Sequence, residues 1–155
     1  MKFAGYIVAV VLGLAILQSP ARADMPEPKP RPQNPNLEAG RKAVEAKDFK
    51  PALGHLTKAV KEMPNDADVH SLLGYSHRKL GQFDSAMEYY RTALKIDSNH
   101  RGAHEYLGEL YLEMDQLPEA EKELQTLYKA CPWFGRCEEH EDLKEAIEKY
   151  KAKKK

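Results

Sequence analysis

The chain has 155 residues, of which 42% are hydrophobic, and its 24 basic and 24 acidic side chains give a formal net charge of zero. A chain of this length can form one domain with a continuous core. Because the charges balance, the composition gives no reason to expect a nucleic acid as a partner.

Residues 1–23 have the pattern of a secretory signal peptide. Lys2 precedes an apolar run over residues 3–17, and the stretch ends on the small pair Ala21 and Ala23. The run is short for a membrane span of about 20 residues, and a retained anchor is the alternative. We therefore predict cleavage after Ala23 and an exported, periplasmic chain with no stable membrane span in its mature form.

Residues 24–35 form a proline-rich arm. Every second residue from Pro26 to Pro32 is proline, which opposes helix formation and favours an extended chain. A spacer between the signal peptide and the domain is the plainer interpretation. A ligand for a proline-binding module is the alternative.

A period of 34 residues organises the chain from about residue 33 onward. Small residues that let helices approach closely recur at this period, with a leucine before two of the glycines: Gly40, Gly74 and Gly108; Ala52, Ala86 and Ala120; Leu73 and Leu107. Such a hairpin cannot bury its apolar face alone, so self-similarity at a fixed period predicts a stack. The predicted repeats cover about 33–66, 67–100 and 101–134.

Turn signals divide the repeats into helices. Asn34 and Pro35 open the first helix, and further helices are predicted near 49–62, 67–79, 83–96, 101–113 and 117–130. Residues 135–155 are predicted to hold a capping helix over about 138–151 and a lysine-rich tail. That tail is interpreted as a solvated, frayed end.

The repeats resemble the tetratricopeptide-repeat (TPR) family, whose pattern is Trp-x2-Leu-Gly-x2-Tyr with a later Ala-x3-Phe and Pro. The third repeat reads His104-x2-Leu107-Gly108-x2-Tyr111, then Ala120-x3-Leu124 and Pro132. The first repeat departs from the pattern, with Asn36 and Ala43 at the aromatic positions. The resemblance implies an all-α fold, a right-handed α-α superhelix of three TPR hairpins in residues 36–134 plus a C-terminal capping helix.

The resemblance also implies a partner-binding groove on the inner helices of the hairpins. The positions that line such a groove are here Leu37, Arg41, Asp68, Ser71, Tyr75, Arg78, Lys79, Glu105, Tyr106, Glu109 and Glu113. We expect the groove to be basic in its middle, acidic at its C-terminal end and floored by two tyrosines. The Lys and Asn pair that related chaperone-binding proteins use to clamp a carboxylate is replaced by Leu37 and Arg41.

Cys131 and Cys137 are the only cysteines, and in an exported chain they predict a disulfide. A metal site with His140 and a redox-active disulfide are alternatives, although the spacing matches no standard zinc or Cys-x-x-Cys pattern. Trp133 and Phe134 lie between the cysteines and are interpreted as covering the end of the core. An exposed contact for a partner is the other interpretation of this pair.

The sequence lacks the usual catalytic motifs: a phosphate-cradling glycine loop, His-Glu-x-x-His and a nucleophile elbow. His70 and His104 occupy equivalent repeat positions, which favours packing over metal binding. We therefore predict a non-catalytic adaptor or scaffold, without cofactor or metal, that binds a peptide or protein segment in its concave groove. The alternative is an assembly protein that acts by self-association or through its outer face.

Overall fold

The computed structural model describes residues 34–132 and 137–154, and every regular element within these ranges is an α-helix. The helices are α1 (Pro35–Glu45), α2 (Phe49–Glu62), α3 (Ala67–Lys79), α4 (Phe83–Ile96), α5 (Arg101–Glu113), α6 (Leu117–Ala130) and α7 (Glu138–Lys153). None of these described helices is long and apolar enough to cross a bilayer. The predictions for residues 1–23, for most of the proline-rich arm and for Trp133 and Phe134 lie outside the described residues.

The same turn closes each of the three hairpins, α1/α2, α3/α4 and α5/α6. Its central residue has a left-handed backbone, with φ of 61° at Lys47, 73° at Gly81 and 59° at Asp115. Glycine adopts this conformation most easily, and it commonly terminates helices. The three positions are 34 residues apart, so the turn geometry repeats although only one repeat has a glycine there.

A side-chain cap fixes the start of each inner helix, α1, α3 and α5. Asn34 Oδ1 accepts from the backbone N–H groups of residues 36 and 37, Asp66 Oδ1 accepts from that of residue 69, and His100 Nδ1 accepts from that of residue 103. These bonds satisfy N–H groups that a helix start otherwise leaves without a partner. The outer helices α2, α4 and α6 have no such side-chain cap.

Close approach explains the repeated small residues. A Cβ on Gly40 would lie 2.6 Å from Leu56 Cδ2, and one on Gly74 would lie 2.6 Å from Tyr90 Cδ1. The alanines predicted to pack between helices are fully buried, and the leucines before two of the glycines lie in the core: Ala52, Ala86, Ala120, Leu73 and Leu107. The small residues therefore bring the two helices of a hairpin into contact.

Within residues 34–132 and 137–154, the buried residues form three apolar clusters along the stack. The last cluster includes Leu112 of α5 and Leu127 of α6 and is completed by Leu143 and Ile147 of α7. The predicted capping role of this helix follows, since its apolar side covers the end of the third hairpin.

The lysine-rich end differs from its interpretation as a frayed tail. α7 continues to Lys153, two residues beyond its predicted end. Lys151 lies 2.6 Å from a carboxylate oxygen of Glu121, and Lys154 lies 2.8 Å from one of Asp115. These lysines therefore form ion pairs with neighbouring elements. The run of like charges in the sequence could not show this, because the acidic partners are distant along the chain.

Cys131 and Cys137 form a disulfide. Cys131 follows the last residue of α6, and Cys137 precedes the first residue of α7. The bond therefore ties the end of the third hairpin to the start of the capping helix. It also uses both thiolates that the alternative metal site would require.

Candidate partner-binding groove

Four helices build one face of the molecule, which we call the inner groove. The inner helices α1, α3 and α5 contact one another in sequence, and α7 packs against α5 on the far side. Because caps fix where these inner helices begin, side chains one repeat apart fall at matching heights on this face. The candidate site is built from these matching positions.

Two partly buried tyrosines form an aromatic floor. Tyr75 of α3 and Tyr106 of α5 have ring centroids 4.8 Å apart. Phe49, at the start of α2, packs edge-on against Tyr75 with centroids 5.9 Å apart. Lys79 Nζ lies 5.1 Å from the Tyr75 ring centroid, within the range of a cation–π contact. The predicted tyrosine pair is therefore in contact, whereas the contribution of Phe49 was missed because it lies on an outer helix.

The middle of the groove is ion-paired, not openly basic as expected. Arg78 has a residue exposure of only 3%. Its Nη1 donates to Glu113 Oε1 over 2.7 Å, and its Nη2 donates to Glu109. Glu109 and Glu113 lie one turn apart on α5, and together their carboxylates neutralise the charge of Arg78. Spacing within one helix could not reveal this pairing, because it joins neighbouring repeats.

A second network joins the three inner helices. Arg41 Nη2 donates to Asp68 Oδ2 over 2.9 Å, and His100 Nε2 donates to Asp68 Oδ1 over 3.0 Å. His100 Nδ1 already accepts the capping bond, which leaves Nε2 as the nitrogen that carries the hydrogen. The hydrogen bond from His100, with help from Arg41, lowers the pKa of Asp68 to about 2.

Three predicted groove residues share one register, and all three are buried. Leu37 and Glu105 are each 8% exposed and Ser71 is 3% exposed. Leu37 and Ser71 therefore offer little surface to a partner, contrary to the prediction. Glu105 differs from the other two residues in its side chain, because it places a carboxyl group where the other repeats have an apolar or small side chain.

Glu105 has no hydrogen bond or ion pair within residues 34–132 and 137–154. Burial and the nearby carboxylates of Glu109, Asp142 and Glu139 raise the pKa of Glu105 to about 8, against a smaller opposing effect of Arg78. Burial and Glu105 together raise the pKa of Tyr106 to about 12. Acidic side chains therefore gather at this end of the groove as expected, and α7 adds Glu139 and Asp142 to the acids of α5.

The C-terminal end of the groove is a cleft of about 370 Å³ between α3, α5 and α7. It is lined by Arg78, Lys79, Glu109, Leu112, Glu113, Ala146, Lys149, Tyr150 and Lys153. The four residues of α7 were not predicted as groove residues. They were missed because α7 was predicted only as a cap over the end of the core.

The equivalent histidines bond to the preceding hairpin. His70 Nε2 lies 2.8 Å from the carbonyl oxygen of Pro64, and His104 Nε2 lies 3.0 Å from that of Ser98. His104 Nδ1 also lies 2.6 Å from Glu123 Oε2. Both rings thus fasten an inner helix to the end of the previous repeat, which is the packing role predicted for them.

A family model described as anaphase-promoting complex, cyclosome, subunit 3 matches residues 45–127, more than half of the chain. The chain belongs to the tetratricopeptide-repeat family. Tetratricopeptide repeat protein 37 of Xenopus laevis is 28% identical over 123 residues, which are 74% of this chain and 8% of that protein. The chain thus spans a small part of the length of this curated relative.

Solved TPR structures have the same fold. The TPR2B domain of yeast Sti1, in complex with pHsp70, has a TM-score of 0.68 at 17% identity, covering 76% of this chain and 94% of that one. PcrH, in complex with the chaperone binding region of PopD, has a TM-score of 0.64 at 20% identity, covering 77% and 91%. The predicted all-α TPR superhelix is therefore confirmed. TPR repeats generally serve as interaction scaffolds with an extended concave binding surface.

Proposed function

We propose that this TPR chain is a non-catalytic adaptor that holds a peptide or protein segment in its inner groove. The contact between Tyr75 and Tyr106 on the groove floor is the observation that carries this proposal. Partly exposed tyrosines offer a large, rigid contact area at a low entropy cost, and such residues are common energetic centres of interfaces. The structures of the Sti1 domain and of PcrH, each in complex with a partner, support a groove of this kind.

The outer face offers less to a partner. Across the described parts of the chain, the exposed large hydrophobic residues are Ile96 on α4 and Tyr128 on α6. Single exposed apolar residues are normal on a protein surface, whereas docking faces usually gather several. The alternative of assembly through the outer face therefore has less support than binding in the inner groove.

We also propose that the chain is exported and works in the periplasm. Residues 1–23 support this through their signal-peptide pattern, and the Cys131–Cys137 bond supports it because disulfides persist in oxidising compartments. Sequencing the N-terminus of the protein from a periplasmic fraction should give Asp24 first. A membrane-bound protein that still begins at Met1 would contradict cleavage.

Cross-linking and affinity capture from the native envelope test the adaptor function. Tyr75→Ala and Tyr106→Ala should each lower partner capture by about tenfold or more, since tyrosine is enriched among the interface residues whose truncation costs about 2 kcal/mol or more. Tyr128→Ala is the matched control, because it removes an exposed ring from an outer helix. Circular dichroism and thermal unfolding check that each variant is folded.

A third variant protects the test against misfolding, because Tyr106 also packs near the buried Tyr90 ring. Lys79 is exposed beside the aromatic floor, so Lys79→Glu should weaken capture without disturbing the core. Unchanged capture by all three groove variants would contradict the groove assignment. Sedimentation of the purified chain should give a monomer, whereas a stable homo-oligomer that hides the groove would favour the assembly alternative.

A further inference from the structure

Glu105 has an environment that the packing of the repeats does not explain. It is only 8% exposed, and at the two equivalent positions the chain has Leu37 and Ser71. In the described part of the molecule its carboxyl group meets no hydrogen-bond donor and no cation at bonding distance. Burying a carboxyl group in this way costs free energy, and native proteins normally supply a partner or use an apolar residue.

The groups that face Glu105 come from three helices and are mainly acidic or aromatic. On α5 they are Glu109 and Tyr106, on α7 they are Glu139 and Asp142, and on α3 they are Tyr75 and Arg78.

The one cation in this set is already engaged. Arg78 donates to Glu109 and Glu113, and Arg101 lies 3.5 Å from a carboxylate oxygen of Glu139. Asp142 is exposed and has no ion pair among the described residues. The site therefore has an excess of negative charge around a buried carboxyl group.

The arrangement fits an organic cation better than a metal ion. Within the described ranges, no three His, Cys, Asp or Glu side chains converge in a way that could hold a metal. Instead the carboxyl groups of Glu105 and Glu109 lie near the Tyr75–Tyr106 pair, whose rings are 4.8 Å apart. Carboxylates beside aromatic faces are the surroundings that an arginine or lysine side chain finds favourable in proteins.

We propose that the inner groove binds a cationic side chain of the captured segment at Glu105, with Tyr75 and Tyr106 beside it and Asp142 at the rim. This inference rests on the proposed function, because the captured segment is what brings the cation. An arginine suits the site best, since its planar guanidinium can stack on a tyrosine and meet two carboxylates at once.

Binding of a cation at Glu105 should depend on pH. Burial and the surrounding acids raise the pKa of Glu105 to about 8, so the empty groove holds a proton there at neutral pH. A cation would displace that proton, and binding would tighten as the pH rises through the pKa. A residue with a purely structural role would not give the bound cation this pH dependence.

A titration of the isotopically labelled full chain with N-acetyl-arginine methylamide, followed by NMR, tests the site without a known partner. The neutral isostere N-acetyl-citrulline methylamide is the matched probe, and N-acetyl-lysine methylamide is the second cation. Arginine should shift the signals of residues 105–109 and 139–142 and bind about tenfold more tightly than citrulline, as expected for a charge-assisted contact. Its affinity should rise about tenfold or more between pH 6 and pH 9.

Glu105→Gln should abolish both the preference for the cation and the pH dependence. Glu88→Gln, an exposed change on the outer helix α4, should leave both as they are in the parent chain. Equal binding of the arginine and citrulline probes, or an unchanged titration in Glu105→Gln, would overturn the proposal. If Glu105→Gln still captures an envelope partner normally and Tyr75→Ala does not, only the cation site is contradicted and the adaptor function stands.

Discussion

Gly108 of α5 lies so close to Leu143 of α7 that a Cβ on the glycine would stand 2.5 Å from Leu143 Cδ2. The equivalent glycines of the first two repeats meet Leu56 and Tyr90 of their own hairpins instead. In the third repeat, the glycine therefore packs against the capping helix α7, whereas in the first two repeats it packs against the outer helix of its own hairpin. Since α7 also lines one side of the inner groove, this contact positions part of the candidate site.

Gly108→Ala should lower the free energy of unfolding by about 1–3 kcal/mol, because the new methyl group overpacks the junction between α5 and α7. Gly54→Ala is the matched control, since a Cβ there meets nothing within 4 Å. In the exposed interior of α2 it should raise the free energy of unfolding by about 0.5–1 kcal/mol. Urea unfolding measures both, and equal effects of the two substitutions would contradict the close contact.

Lys47→Gly should stabilise the chain by about 0.5–1 kcal/mol, because Lys47 has the positive φ that the equivalent Gly81 adopts without strain. The control Lys58→Gly removes a similar exposed lysine from the interior of α2 and should destabilise by about 1 kcal/mol. Thermal and urea unfolding compare the two variants. A loss of stability in Lys47→Gly would show that the left-handed turn is not the native conformation there.

Glu105→Gln should stabilise the chain at high pH and leave it almost unchanged at low pH. The pKa of Glu105 rises from 4.5 to about 8 on folding, so the folded chain binds a proton that the unfolded chain has lost. Stability therefore falls as the pH rises from about 4.5 to about 8, and the glutamine variant escapes this loss. The gain should reach about 1–3 kcal/mol at pH 9.

Unfolding of both chains in urea from pH 5 to pH 9 measures this difference. Glu88→Gln should give a flat difference within about 0.5 kcal/mol, as for most surface substitutions. A gain for Glu105→Gln that is the same at pH 5 and pH 9 would mean that the carboxyl group is ionised throughout.

Thiol titration of the denatured, unreduced protein should find no free thiol, since Cys131 and Cys137 are joined. The double substitution of both cysteines by serine should cost about 2 kcal/mol, the chain-entropy value for a loop of this size. Reduction of the parent chain should bring its stability down to that of the double variant. Two free thiols in freshly purified protein would refute the bond.

The sequence was sufficient to predict most of the helix boundaries, because turn residues mark them directly. Pro64 and Gly81 interrupt the helical pattern directly, and the 34-residue period extends such signals to repeats where they are weaker. The helices predicted near 67–79, 83–96, 101–113 and 117–130 are found with those bounds. Turn residues and a repeat period are both properties of the sequence itself, so the helix boundaries can be predicted from them without tertiary information.

The groove could be predicted only in part, because its surface depends on how helices approach one another. The repeat positions of Tyr75 and Tyr106 were enough to place both on the groove floor. The burial of Ser71 and the pairing of Arg78 with acids of α5 depend on the distance between inner helices, which no local pattern encodes. Glu105 was predicted as a groove residue, but its burial without a cation of the described residues at bonding distance became evident only in the fold.

Site-specific photo-cross-linking in the native envelope tests the adaptor function most directly. A benzophenone side chain replaces Lys79, which is exposed beside the aromatic floor, or in a control chain Arg91, which is exposed on α4. The proposed function predicts a discrete covalent adduct with a partner protein from position 79 and none from position 91. An adduct from position 91 alone, or none from position 79, would contradict capture in the inner groove.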